Sequence, residues 1–399
     1  MKRRTSIIAL IVVLLTVSIV YGTVFSGVES ISEEARFENI GHVTEVVALI
    51  KSRYYKPVST FELLRSYVTT GTINGMIAEA VGDPYTNYMD QESYQQMVSR
   101  NQGAFGGIGI VVGMREEQLT IISPIRSTPG ERAGLRSNDK IIAIDGKTTK
   151  HMSLNEAVSL MRGDPGTGLT ITVLRNEEQL EVPIVRAIIN VDSVSEVKML
   201  EHNIGYFDLT TFSDRTYQEV RQALATLDAQ GMQALIMDLR FNPGGTLSAS
   251  LQIANEFIGS GPLVYLEDRN GNRTGYEASS RGTRKPIPIV ILLNGSSASA
   301  SEIVAGALRD HQLATLVGTT TFGKGLVQTV YPLRDGSALT VTEQAYLTAG
   351  GHDINKVGIV PDIIVEVSDE EAEAIFFNNE EVEDRQLQKA LEVLLEQLQ

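Results

Sequence analysis

The stretch IPIVILLNGSSASASEIVAGALR, Ile287 to Arg309, decides the fold. Ile287 to Leu293 is almost wholly apolar, as expected of a strand buried on both faces. Ala300 to Arg309 carries Ile303, Val304, Ala307 and Leu308 at helical spacing. Between them lies Asn294-Gly295-Ser296-Ser297-Ala298-Ser299, a run of small residues on a strand-to-helix turn. Such a turn exposes a hydroxyl at the end of a sheet and aims unpaired helix N–H groups at it, which favours a developing negative charge. Ala298 and Ala300 leave room for a substrate backbone. On these grounds any of Ser296, Ser297, Ser299 and Ser301 can be a nucleophile. The competing reading makes all four caps and turn formers.

Around this segment, strands alternate with helices. Gly205 to Leu209 reads as a strand, Tyr217 to Ala229 as a helix stopped by Gly231, and Ala234 to Leu239 as a second buried strand. The alternation predicts an α/β layer architecture from about 191 to 367. Upstream, 103–186 has another texture. Gly106, Gly107 and Gly109 lead into Ile108–Val112, Leu119–Ile122, Lys140–Ile144 and Leu169–Leu174, with one short helix over Leu154–Met161. Residues 37–100 read as helices, with Val43, Val46, Val47 and Ile50 on one face and a break at Asp83-Pro84-Tyr85. After the acidic run in 369–384, Leu387, Leu391, Leu394, Leu395 and Leu398 line one face of a terminal helix. That face can dock on its own domain or on a second protomer.

At the N-terminus, Lys2, Arg3 and Arg4 precede an apolar stretch from Ile7 to about Phe25, near the ~20 residues of a membrane span. Basic residues on that side keep it in the cytoplasm, so residues 1–28 are expected to act as an anchor or a cleaved signal peptide. Either places the remainder outside the cytoplasm. The net charge of −15 argues against a nucleic-acid partner, which requires a basic footprint. The absence of cysteine excludes thiolate chemistry, and the five scattered histidines form no metal-ligand spacing, so no metal or cofactor is expected.

A serine nucleophile needs a base. His311 closes the far end of the same helix, well over ~10 Å from the turn at ~1.5 Å per residue. Nothing around His352 suggests a role. Lys324 is flanked by Gly323 and Gly325 in a loop between two strand-like stretches, with Phe322, Leu326 and Val327 as apolar neighbours. Burial beside few charges lets a lysine serve as a base. Gln328, four residues on, falls on the same face of an extended strand and can orient the amine without adding charge. Ser–Lys pairs are a known variant of the Ser–His–Asp logic. Gly318 to Lys324 also matches GxxxxGK, but Gly325 stands where a phosphate loop has Ser or Thr, and a strand follows instead of a helix. After the strand Ala234–Leu239, the turn Asn242-Pro243-Gly244-Gly245 presents backbone N–H groups at a strand's C-terminal end, suited to an oxyanion hole or to a tight turn alone.

Taken together and in this order, several motifs resemble the C-terminal processing peptidases, a serine-protease family with a Ser–Lys dyad. They are Asp83-Pro84-Tyr85, Gly107-Ile108-Gly109-Ile110, Asp238 to Gly245, Ser297 to Glu302, Thr321 to Gly325 with Val327-Gln328, and Gly358 to Asp362. The resemblance spans about Phe37 to Val367 and implies a crotonase/ClpP-like α/β core with an inserted, mostly-β PDZ domain. It implies Ser299 as nucleophile, Lys324 as base, Gln328 as its support, and the N–H groups of Ala300 and Gly245 as oxyanion donors. Thr86 departs from the family, where Ser is commoner. In the PDZ domain, Gly107, Ile108, Gly109 and Ile110 are expected to bind a peptide's C-terminal carboxylate as the peptide adds to a sheet edge. Arg162, just after the flanking helix, is a candidate contact with the catalytic part, or a solvated arginine at a helix end. The expected function is an extracytoplasmic serine endopeptidase. The alternatives are a silent PDZ scaffold, a crotonase-like acyl transfer enzyme and a Ser–His peptidase.

Overall fold

The computed structural model describes residues 33–399 apart from 116–117, 126, 281–283, 369–370, 373–374 and 376–382. The expected anchor over 1–28 lies outside the described residues. Among those described, no helix is long and apolar enough to cross a membrane.

The chain divides into two compact units, up to Asn87 and from Tyr88 onward. The first contains helices α1 (Glu33–Arg53), α2 (Thr60–Thr70) and α3 (Ile73–Ala80). Val43, Val46, Val47 and Ile50 of α1 are buried, as their spacing predicts. At the Asp-Pro-Tyr break, Asp83 accepts the Tyr85 N–H and, at 2.7 Å, the Thr86 hydroxyl. Thr86 therefore retains the hydroxyl that a serine would supply. The helical stretch expected over 37–100 is split by this division: α4 (Gln91–Gln102) belongs to the second unit.

In the second unit, β1 (Ala104–Gly107) pairs antiparallel with β7 (Ala187–Asn190), closing the neck of the β-rich insertion expected as a PDZ domain. Between them run β2 (Ile110–Arg115), β3 (Gln118–Pro124), β4 (Lys140–Ile144), α5 (Leu154–Met161), β5 (Gly168–Arg175) and β6 (Glu178–Val185). The strands form an antiparallel sheet in the order β2-β3-β4-β5-β6. Its core is Ile108, Leu119, Ile121, Ile141, Ile171 and Val173.

The rest of the second unit is built on a mostly parallel sheet. Its strands are β8 (Val194–Met199), β9 (Ile204–Leu209), β10 (Ala234–Asp238), β13 (Ile289–Leu293), β14 (Thr315–Gly318) and β17 (Ile363–Ile364), side by side in that order. Only the β8–β9 pair is antiparallel. Side chains alternate between the two faces. Leu235, Met237, Ile289, Ile291, Leu293 and Leu316 pack against α6 (Thr216–Ala229), α7 (Leu247–Phe257) and α8 (Ala300–Asp310). The opposite face, with Ile204, Ile236, Val290, Leu292 and Val317, is covered by Ala390, Val393 and Leu394 of α9 (Arg385–Gln397). The terminal helix thus docks on its own domain, and double coverage explains why the strands read as unbroken apolar runs. An antiparallel sheet of β15 (Leu326–Pro332), β16 (Ala338–Leu347), β11 (Pro262–Glu267) and β12 (Arg273–Glu277) completes the core.

Candidate active site

Strands β10, β13 and β14 are parallel neighbours, so the loops leaving their C-terminal ends emerge together. Those loops carry the Asn242–Gly245 turn, the serine cluster and Lys324. Ligands of open α/β sheets bind at such ends.

The four candidate serines are no longer equivalent. The Ser297 hydroxyl donates to Leu239 O at 2.8 Å, and the Ser301 hydroxyl donates to Asn242 O at 2.9 Å; both residues are buried. They pin the serine turn to the neighbouring one. Ser296 is exposed. Ser299 has φ 55° and ψ −111°, which a residue with a side chain adopts only when its surroundings over-determine it. Strain of this kind costs on the order of 1–3 kcal/mol and clusters at functional sites.

What holds Ser299 is Glu302, three residues on and fully buried. Glu302 Oε2 accepts the Ser299 N–H at 2.7 Å and the Lys324 N–H at 3.0 Å. Its Oε1 accepts the Gly323 N–H at 2.8 Å and the Thr321 hydroxyl at 2.6 Å. The Tyr346 hydroxyl donates to Ser299 O at 3.2 Å and lies 3.4 Å from Glu302 Oε2. One carboxylate therefore joins the serine turn to the lysine loop. The loop is also closed from its other side: Phe322 N–H donates to Ser297 O and Thr321 N–H to Ile359 O. In the sequence, Glu302 stands only as the last residue of the Ser297–Glu302 motif. Its signal was the Ser-x-x-Glu spacing of a capping box.

Lys324 is half-buried and lies in the loop before β15. Because that strand starts only at Leu326 and bulges between Val327 and Gln328, the alternation argument that put Lys324 and Gln328 on one face does not apply. Gln328 is half-buried, with Nε2 3.5 Å from the Thr342 hydroxyl. Neither expected alternative base stands in an equivalent place. His311 Nε2 is bonded to Pro262 O at 2.7 Å, and His352 is exposed.

In the glycine turn, a Cβ on Gly244 would come within 2.6 Å of Ala298 O and 2.8 Å of Ala300 N, so only glycine lets the turn close on the serine segment. The Gly244 N–H is taken by Asn242 Oδ1. Gly245 bridges Phe212 in parallel fashion through Gly244 O and the Thr246 N–H. That pattern turns the Gly245 N–H away from Phe212. Ala300 is the first residue of α8, where backbone N–H groups lack helical partners. Behind the turn, Arg240 is buried between Asp238 and Asp384. Burial alone would lower its pKa, but the two carboxylates, Asp238 foremost, raise it above the ordinary arginine value.

In the PDZ domain, a groove of about 90 Å³ runs between Gly107–Ile110 and α5, with Val112, Val158 and Met161 on its walls. The Ile108 carbonyl is taken by Gly130 N–H, and that of Gly109 by Ile125 N–H and the Thr128 hydroxyl. Arg162 follows α5 and stacks on Phe105, its guanidinium carbon 4.8 Å from the ring centroid. It shares a small cavity with Val191 and Thr211 of the catalytic part. Its Nε is buried and has no hydrogen-bond partner among the described residues. Burial, and secondarily Arg100, pulls its pKa below the ordinary value.

Residues 203–365 match the model of peptidase family S41, 120–175 a PDZ domain, and 23–93 the activating protease CtpB N-terminal domain. The chain is 36% identical over 342 residues to a carboxy-terminal-processing protease of Bartonella bacilliformis, covering 84% of this chain and 77% of that one. It is 34% identical over 370 residues to the carboxy-terminal processing protease CtpB of Bacillus subtilis, covering 89% and 76%. Among solved structures, the photosystem II D1 C-terminal processing protease aligns with a TM-score of 0.52 at 28% identity, covering 81% of this chain and 92% of that one. Fold and relatives define a serine-type peptidase with a PDZ domain. The chain belongs to peptidase family S41, among its carboxy-terminal processing proteases.

Proposed function

We propose that the chain is a membrane-anchored, extracytoplasmic endopeptidase that captures substrate C-termini in its PDZ groove and cuts with a Ser299–Lys324 dyad. The observation that carries this reading is the single Glu302 oxygen that accepts both the Ser299 and the Lys324 N–H. It tethers the serine turn to the lysine loop, which supports a nucleophile on one and its base on the other.

In this mechanism, neutral Lys324 takes the Ser299 proton while Oγ attacks the scissile carbonyl. The resulting oxyanion is met by the N–H groups of Ala300 and Gly245. Collapse breaks the C–N bond, and Lys324 gives its proton to the leaving amine. Lys324 then deprotonates a water that hydrolyses the ester. The family resemblance supports Gln328 as the residue that orients the amine. The basic N-terminal residues and the apolar stretch after them support the anchored, extracytoplasmic location. With α9 committed to its own domain, a homodimer is supported instead by α2, whose Phe61, Leu64 and Val68 form an exposed apolar stripe.

The test is casein cleavage by a soluble form starting near Glu29, with a fluorophosphonate label mapped by mass spectrometry. Cleavage with the label on Ser299 is expected. Cleavage that survives Ser299→Ala would overturn the reading.

Arg162 is proposed to report groove occupancy to the catalytic part, because it lies at their seam. Arg162→Ala should change the rate on substrates with a free C-terminus several-fold, with the PDZ thermal transition unchanged. Equal rates in both proteins would leave Arg162 as packing alone.

A further inference from the structure

The sheet's C-terminal edge contains a polar cluster that the mechanism does not use. Arg240 follows β10 and opens the glycine turn. Its Nε and Nη2 donate to Asp238, with Nη2 at 2.6 Å from Oδ2. The rest of the guanidinium points at the chain's last helix. Nη1 and Nη2 form a two-pronged pair with Asp384 at 2.9 and 2.8 Å, and Nη1 also meets Gln386 Oε1 at 3.2 Å. Asp384 is the N-cap of α9, where its Oδ1 also accepts the Leu387 N–H. Gln386 is tied to Val365 O. A guanidinium held on both prongs loses its freedom to reorient.

The backbone beyond Arg240 is where that rigidity acts. Phe241 adopts φ 57°, and its N–H donates to Asn294 Oδ1. The Asn242 carbonyl then takes both the Ala298 N–H and the Ser301 hydroxyl, and Gly244-Gly245 follow. A left-handed, non-glycine residue between the clamped arginine and the oxyanion turn persists only if both sides are held.

We propose that Asp384 is a positioning residue for the peptidase reaction: acting through Arg240 from the start of the terminal helix, it sets the turn that presents the Gly245 N–H. This rests on the oxyanion role assigned to that turn above. The C-terminal helix is thereby part of the catalytic apparatus as well as a cover for the sheet.

The test compares wild type, Asp384→Asn, Asp384→Ser and Asp384→Glu in the soluble protein. Asn and Ser keep the helix cap, so they remove the carboxylate while sparing α9. The expected result is a roughly ten-fold fall in kcat with KM within two-fold, smaller than the ~10²–10³-fold cost of deleting an oxyanion donor outright. The rate of fluorophosphonate labelling of Ser299 should fall in parallel. Affinity of the PDZ domain for a C-terminal peptide should hold, the thermal midpoint should fall because the buried Arg240 loses one of its two carboxylates, and Asp384→Glu should recover part of kcat. A lowered thermal midpoint with unchanged kcat would make Asp384 a structural cap and overturn the proposal. If Ser299→Ala is dead while Asp384→Asn keeps full kcat, only this inference falls; if Ser299→Ala stays active, the site reading falls first.

Discussion

Replacing Lys324 with alanine is expected to lower kcat on casein by about 10⁴-fold, to the level of Ser299→Ala, and the double variant should be no worse. The two side chains act as one unit, since a serine hydroxyl without a base is a weak nucleophile. The fold should survive, because the Glu302 anchor uses the Lys324 backbone N–H and not the amine. Peptide binding in the PDZ groove and the thermal transition are thus expected to match wild type. His311→Ala and His352→Ala should cut normally, as His311 is committed to Pro262 O and His352 is exposed. In wild type the rate should rise with pH as the amine loses its proton, because only the neutral form accepts the serine proton. A flat profile across neutral and alkaline pH, or loss of activity in a histidine variant, would replace the dyad with another base.

The second large effect is expected at Glu302. Glu302→Ala leaves the Ser299, Gly323 and Lys324 N–H groups and the Thr321 hydroxyl without their acceptor in a buried place. Leaving a buried donor without an acceptor costs about 1–3 kcal/mol, so the catalytic part should melt at a clearly lower temperature. Glu302→Gln is the sharper test, since it keeps the volume but turns one oxygen into a donor facing donors. Misplacing reacting groups by about 1 Å costs on the order of 10²-fold. Glu302→Gln should therefore lose about that much in kcat while the PDZ groove binds peptide as before. Steady-state kinetics beside a thermal melt measures both. A stable, fully active Glu302→Gln would mean that the two loops are held without the carboxylate.

Both predictions bear on what was legible. The strand–small-turn–helix unit around Ser299 was readable because its cues are local: an apolar run, small residues, then helical spacing. The register of β10, β13 and β14 then brings the turns after them together. The resemblance singled out Ser299, whereas the local pattern left four serines open. The structure separates them by bonding Ser297 and Ser301 across to the next turn. The Lys324–Gln328 relation was argued from strand alternation, and a loop and a bulge intervene.

By itself, the sequence determined the alternating α/β part, the glycine-opened β-rich insertion, the strand-to-helix turn with its serines, and a lysine loop bounded by glycines. These follow from periodicity and turn chemistry, which act over a few residues. Tertiary structure alone decided that Glu302 joins two loops, that α4 goes with the second unit, that α9 covers the sheet, and that Asp384 meets Arg240 across 144 positions. Such pairings have no local signature. A buried carboxylate or guanidinium is held by whichever donors and acceptors the folded chain brings to it, and sequence spacing does not encode that meeting.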